Sequence, residues 1–105
     1  MGTSLRRANA IAARLVSDPG WDVPGRYDFV LAFWMVHEVP DRPRFLGELA
    51  ALLRPGGLLL VAEPILHVPA REVERTFDLA RAAGLELLDR PRVALSRAGL
   101  FRRPG

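Results

Sequence analysis

Tyr27, Phe29, Val30, Leu31, Ala32 and Phe33 form a run that is apolar on both faces of an extended chain. A strand with one wet face alternates apolar and polar residues. A run apolar on both faces suits a central parallel strand covered by helices on each side. This confines the chain to folds in which helices cross over between parallel strands. Pro40 and Asp41 stop the run. Asp41 suits a helix N-cap, and Phe45, Leu49, Leu52 and Leu53 follow at helical spacing. Pro55-Gly56-Gly57 predicts a sharp end to that helix, with glycine available for the left-handed turn.

Leu58 to Ala62 reads as a second fully apolar strand, closed by Glu63-Pro64. Pro69 fits the first position of a second helix. Ala70, Val73, Phe77, Ala80 and Ala83 then share one stripe, and Arg71, Glu72, Glu74, Arg75, Asp78 and Arg81 take the other faces. Gly84 caps its end. Leu85 to Asp89 and Ala98 to Arg102 read as two more strands. The Pro91 to Arg97 connection is too short for a crossover helix, so these two are expected to pair antiparallel. The first 26 residues admit two readings: Leu5 to Val16 as one helix, or a helix ending near Asn9 with Ala10 to Val16 as a strand. Ser17 to Arg26 reads as loop in both.

At 105 residues the chain has room for one small domain. Half of it is hydrophobic and 26% is charged, which excludes a disordered chain. The longest apolar run, from Phe29 up to His37, falls far short of the ~20 residues of a membrane-spanning helix. No apolar segment follows Arg6 and Arg7, so no secretory signal is read and a cytoplasmic location is expected. The absence of cysteine excludes disulfide scaffolds, thiolate metal sites and cysteine nucleophiles. The pI of about 10.9 contrasts with a net charge of only +3. All 15 basic residues are arginine, whose high pKa lifts the pI. They are scattered, not grouped on one face with interleaved aromatics, so nucleic-acid binding is not expected.

Tyr27-Asp28-Phe29-Val30-Leu31-Ala32, then His37-Glu38-Val39-Pro40-Asp41, then Leu52-Leu53-Arg54-Pro55-Gly56-Gly57 running into Leu58-Leu59-Leu60-Val61, resembles the C-terminal half of the class I S-adenosylmethionine-dependent methyltransferases. The Glu63-Pro64 turn, the helix ending Ala82-Ala83-Gly84-Leu85 and the closing strand pair follow the same order. The resemblance implies an α/β fold: a partial Rossmann-like methyltransferase sheet of parallel strands with helices and a closing antiparallel strand pair, its first strands missing. It implies one partial domain over residues 1–105, with 27–105 as the family-like part. It also implies S-adenosylmethionine as cofactor. The family holds that cofactor chiefly through a glycine-rich turn after its first strand and an acidic residue ending the second. Both fall before the matched region, so weak or absent binding and no activity are expected of this chain alone.

Four residues are the candidates for cofactor contact by this resemblance. Asp18 falls where residues after the third strand approach the adenine. Ala32, Phe33 and Trp34 end the fourth strand, beside the methionine part. Ligands in open α/β sheets sit at the carboxyl ends of strands, which supports the second placement physically. Gly56 and Gly57 follow a helix where a phosphate cradle would open one, so they read as a tight connection. His37 is the one candidate catalytic residue, a general base. Glu38 beside it is a poor orienting partner, because adjacent residues do not easily share a face. Glu63 and His67 add potential ligands, but Pro64 breaks any helical register between them and no metal site is expected.

The reading is thus a methyltransferase-family domain acting on an undetermined acceptor. An alternative is a non-catalytic subunit or regulator that completes its sheet with a partner chain or with itself through the Tyr27–Phe33 edge. A third reading is a small arginine-rich nucleic-acid-binding α/β module. An in-frame glycine-rich segment upstream of the Met1 codon separates the first from the second.

Overall fold

A computed structural model describes residues 27–105. The expectations for Leu5 to Val16 and for Asp18 lie outside the described residues. Strand β1 (Tyr27–Phe33) leads through a short 3-10 turn (Val36–Glu38) to helix α1 (Arg42–Leu52), and strand β2 (Leu53–Pro64) follows at once. Helix α2 (Ala70–Ala82) then connects to strands β3 (Glu86–Asp89) and β4 (Ser96–Arg102). The sheet order is β1-β2-β4-β3. β1 and β2 are parallel, whereas β4 is antiparallel to both β2 and β3, as the short β3–β4 connection requires.

Each element starts and stops for local reasons. The Asp41 carboxylate accepts the Arg44 amide at 3.1 Å, one of the donors that the first turn of α1 leaves without a helical partner. The helix ends at Leu52, earlier than the Pro55-Gly56-Gly57 corner, because Leu53 is already extended and opposite Tyr27. β2 is therefore 12 residues long, and the corner is an irregularity within it. Gly56 takes φ +83 there. A Cβ on Gly57 would lie 2.9 Å from the Arg54 carbonyl oxygen and 3.0 Å from that of Tyr27, so only glycine lets the two strands close. Pro69 is the N-cap of α2 and not its first residue. At the other end the Gly84 amide bonds the Arg81 carbonyl and Leu85 reaches back to Ala80, the paired bonds of a Schellman cap, with Gly84 at φ +97.

The core lies on one face of the sheet. Val30, Ala32, Leu59, Val61 and Phe101 point there and are fully buried against Phe45, Leu46 and Leu49 of α1 and Val73, Phe77 and Ala80 of α2. Thr76, not Ala70 or Ala83, completes the buried stripe of α2, and its hydroxyl accepts from Arg42 of α1 at 3.1 Å. Arg42 also pairs with Glu72 at 2.9 Å, tying the helices side by side. The opposite face holds Phe29, Leu31, Phe33, Leu58, Leu60 and Leu100, and carries neither helix among the described residues. β1 is thus an edge strand of the described sheet, covered on one face.

Candidate functional site

The carboxyl ends of β1 and β2 lie side by side, because the strands are parallel and Phe33 stands opposite Ala62. Beyond Phe33 the chain turns at Trp34, whose φ is +58, a left-handed value uncommon for any residue but glycine. The Trp34 amide still donates to the Ala62 carbonyl at 2.7 Å, and its ring stacks on Phe33 at 5.0 Å. Its indole Nε1 donates to Ser96 Oγ at 2.6 Å, so the end of β1 is pinned to the start of β4. Of the three predicted residues here, Ala32 is buried in the core, while Phe33 and Trp34 are 43% and 38% exposed. The structure thus offers Phe33 and Trp34 as a surface and makes Ala32 a support beneath them.

The next turn places His37 over the end of β2. Its Nδ1 lies 3.4 Å from Glu63 Oε2. Glu63 is fully buried, and neither of its oxygens makes a hydrogen bond of good geometry. Burial pushes the Glu63 carboxyl above its ordinary pKa. The neighbouring His37 side chain and the Val36 and His37 backbone amides oppose that rise only in part. The sequence set Glu63 beside His37 only as a potential metal ligand, because no spacing pattern links residues 26 positions apart as a pair. The apolar run Leu58 to Ala62 ending in a carboxylate was the available signal. Glu38 also reaches His37, at 3.7 Å from Nε2, so neighbours in a 3-10 turn do converge. Its carboxylate is solvent-exposed and holds His37 loosely.

His67 is exposed in the loop before α2 and takes no part in this pair. No group of three or more potential metal ligands forms among the described residues. Gly56 and Gly57 lie at the opposite end of the sheet, next to Tyr27, and cradle nothing at these strand ends. Asp28 lies at that far end as well and pairs with Arg54 at 2.7 Å.

Beside the strand ends, α2 and the β3–β4 loop enclose an open cavity of about 530 Å³. Ile65, Val93 and Leu95 supply its apolar lining, and arginines stand around it. Sequence reading missed it, because the cavity exists only once the loop folds back. That fold is a turn in which Ser96 N donates to the Val93 carbonyl at 3.0 Å. No helix among the described residues is long and apolar enough to cross a membrane.

Comparison with known proteins places this architecture. The methyltransferase domain family matches residues 4–92. A ubiquinone biosynthesis O-methyltransferase from Bradyrhizobium is 35% identical over 75 residues, covering 59% of this chain and 30% of that protein. Among solved structures, the complex of the Haloferax volcanii Trm112 methyltransferase activator with a methyltransferase superposes with TM-score 0.67 at 15% identity, over 84% of this chain and 58% of that one. Burkholderia thailandensis 1,6-didemethyltoxoflavin-N1-methyltransferase, solved with 1,6-didemethyltoxoflavin and S-adenosylhomocysteine, gives TM-score 0.60 at 23% identity over 80% of this chain and 47% of that one. The chain spans less than a third of the curated relative's length.

Proposed function

The chain belongs to the class I methyltransferase domain family, and from that premise we propose that it forms the acceptor-side half of an S-adenosylmethionine-dependent methyltransferase site. The observation that carries this reading is the grouping of Phe33, Trp34, His37 and Glu63 at the carboxyl ends of two adjacent parallel strands. Open α/β sheets bind their ligands at such ends. The exposed Phe33–Trp34 stack fits the apolar flank of a cofactor. Of the carboxylates at these strand ends, Glu63 is buried and Glu38 stands exposed beside His37, while Asp28 lies at the far end of β1. The chain fits one side of the cofactor.

When bound, S-adenosylmethionine supplies an electrophilic methyl group. The residues of this chain have two tasks. Phe33 and Trp34 form an apolar wall that keeps water from the reacting centre. His37 is the proton acceptor for a hydroxyl or amine nucleophile. Its Nδ1 faces Glu63 at 3.4 Å, which leaves Nε2 as the accepting atom. Glu63 acts through His37, as a positioning residue that orients the ring.

Titration of the full chain with S-adenosylhomocysteine, followed by backbone amide chemical shifts, tests this placement. Weak binding with shifts centred on Ala32 to Trp34 and on Val36 and His37 is expected. Micromolar affinity, or shifts centred on β3 and its loop, would overturn it.

The alternative role as a non-catalytic subunit draws support from one observation. The outer side of β1 has no neighbouring strand among the described residues. A partner chain that supplies that strand would complete the sheet. Size-exclusion of the chain with its co-purifying proteins tests this, and a lone chain with full methyltransferase activity would refute it.

A further inference from the structure

We propose that the cavity between α2 and the β3–β4 loop binds a small molecule with an apolar body and one carboxylate. This deepens the proposed function, since on that reading the ligand is the methyl acceptor. Three independent observations carry it.

The first is shape and lining. About 530 Å³ lies within the range of small-molecule sites, and Ile65, Val93 and Leu95 give it an apolar surface. The second is charge. Arg90, Arg92 and Arg97 all line the cavity, against the single carboxylate of Glu74. Glu74 is occupied: it takes both Arg90 guanidinium nitrogens, at 2.5 and 2.9 Å. That bond holds its pKa below the ordinary carboxylate range, and Arg97 contributes to the lowering. Arg92 and Arg97 make no ion pair among the described residues. Two guanidinium groups beside an apolar hollow match a carboxylate on an apolar body, because arginine presents a planar fork to two oxygens.

The third observation is strain. Among the described residues only two non-glycines have positive φ, Trp34 and Leu95, both at +58. Leu95 sits in the cavity wall with its side chain 68% exposed, at a turn position where glycine would cost less. Trp34 bonds Ser96, the residue after Leu95. Backbone held in sparsely populated conformations points to a function for the segment that holds it. Here both outliers bear on Ser96, where the cavity meets the strand ends. Arg97, the next residue, stands opposite Glu63 in the β2–β4 ladder. The cavity and the His37–Glu63 pair thus adjoin across one strand.

The test uses the full chain and two probes of equal shape, 2-naphthoate and the neutral 2-naphthalenemethanol, followed by amide chemical shifts. Saturable shifts at Ile65 and Val93 to Ala98 are expected with 2-naphthoate, and about tenfold weaker binding with the alcohol. Arg92→Gln and Arg97→Gln should each weaken 2-naphthoate and leave the alcohol unchanged. Glu74→Gln releases Arg90 and should tighten 2-naphthoate, a gain that misfolding does not imitate. Equal affinity for both probes, or shifts confined to Phe29, Leu31 and Phe33 on the open sheet face, would overturn the proposal. Carboxylate-selective binding at the cavity in a sample where S-adenosylhomocysteine gives no shift supports the cavity and sinks the cofactor placement alone.

Discussion

The indole nitrogen of Trp34 donates to the hydroxyl oxygen of Ser96 at 2.6 Å, and Ser96 in turn donates to the Ala94 carbonyl at 3.1 Å. A residue at the end of the first described strand thereby holds the loop that leads into the last. The bond is solvent-exposed, so its worth lies at the lower end of the hydrogen-bond range. Trp34→Phe should cost about 0.5–1 kcal/mol in a denaturant titration. It should also speed amide exchange from Val93 to Arg97. Unchanged exchange there would show that the loop stands without this bond.

Leu95 tests whether the loop stores strain. Leu95→Gly removes the Cβ that makes φ +58 costly, and the exposed side chain contributes little packing. The gain is offset in part by the greater freedom of glycine in the unfolded chain. Stability should rise by about 0.5–1 kcal/mol while 2-naphthoate binding weakens. A loss of stability comparable to that of a core truncation would contradict the strained reading.

Glu63 should make stability depend on pH in an unusual direction for a carboxylate. Its folded pKa is raised above the ordinary 4.5, chiefly by burial. A raised carboxyl pKa contributes stability that is complete below the unfolded value and is lost as pH rises through the folded one. The stability of the wild-type chain relative to Glu63→Gln should therefore fall as pH rises above about 4.5. Urea titrations at a series of pH values from there upward measure it. A difference that grows with pH would mean that His37 outweighs burial.

Much of this architecture was legible along the chain, and the reasons are local. The apolar runs of β1 and β2, the Asp41 cap, the Val73–Phe77–Ala80 stripe and the short β3–β4 connection all act over a few residues. Boundaries were less so. Helix α1 stops at Leu52 because strand pairing with Tyr27 claims Leu53, a contact between residues far apart in sequence. The candidate site divides the same way. That Phe33 ends a strand and that Trp34 and His37 come just beyond it could be read from the apolar run and its stop. Glu63 and the Arg92–Arg97 cavity wall depend on which strands become neighbours, which periodicity does not encode.

Helix α2 separates packing from surface pairing. Phe77 is 1% exposed and meets Phe101 edge-to-face at 5.4 Å, with the Arg90 guanidinium over its ring. Phe77→Ala should cost about 3–5 kcal/mol. Glu74→Ala breaks a half-exposed pair with Arg90 and should cost less than about 1 kcal/mol. Arg75→Ala should stay within about 0.5 kcal/mol. Equal effects at Phe77 and Glu74 would contradict the orientation of this helix.

The open side of the sheet should govern association. Phe29 and Phe33 are 37% and 43% exposed on the face that carries neither helix among the described residues, and β1 beside them is the outermost strand of the described sheet. An apolar strand in that position is prone to pair with a second chain. A chain of about 105 residues buries only a modest fraction of its surface, so little stability offsets such exposure. The chain should show concentration-dependent light scattering. Phe29→Lys with Phe33→Lys should reduce it while the circular dichroism stays unchanged, because both side chains lie outside the buried core. Scattering that is as strong in the double variant would move the association surface elsewhere.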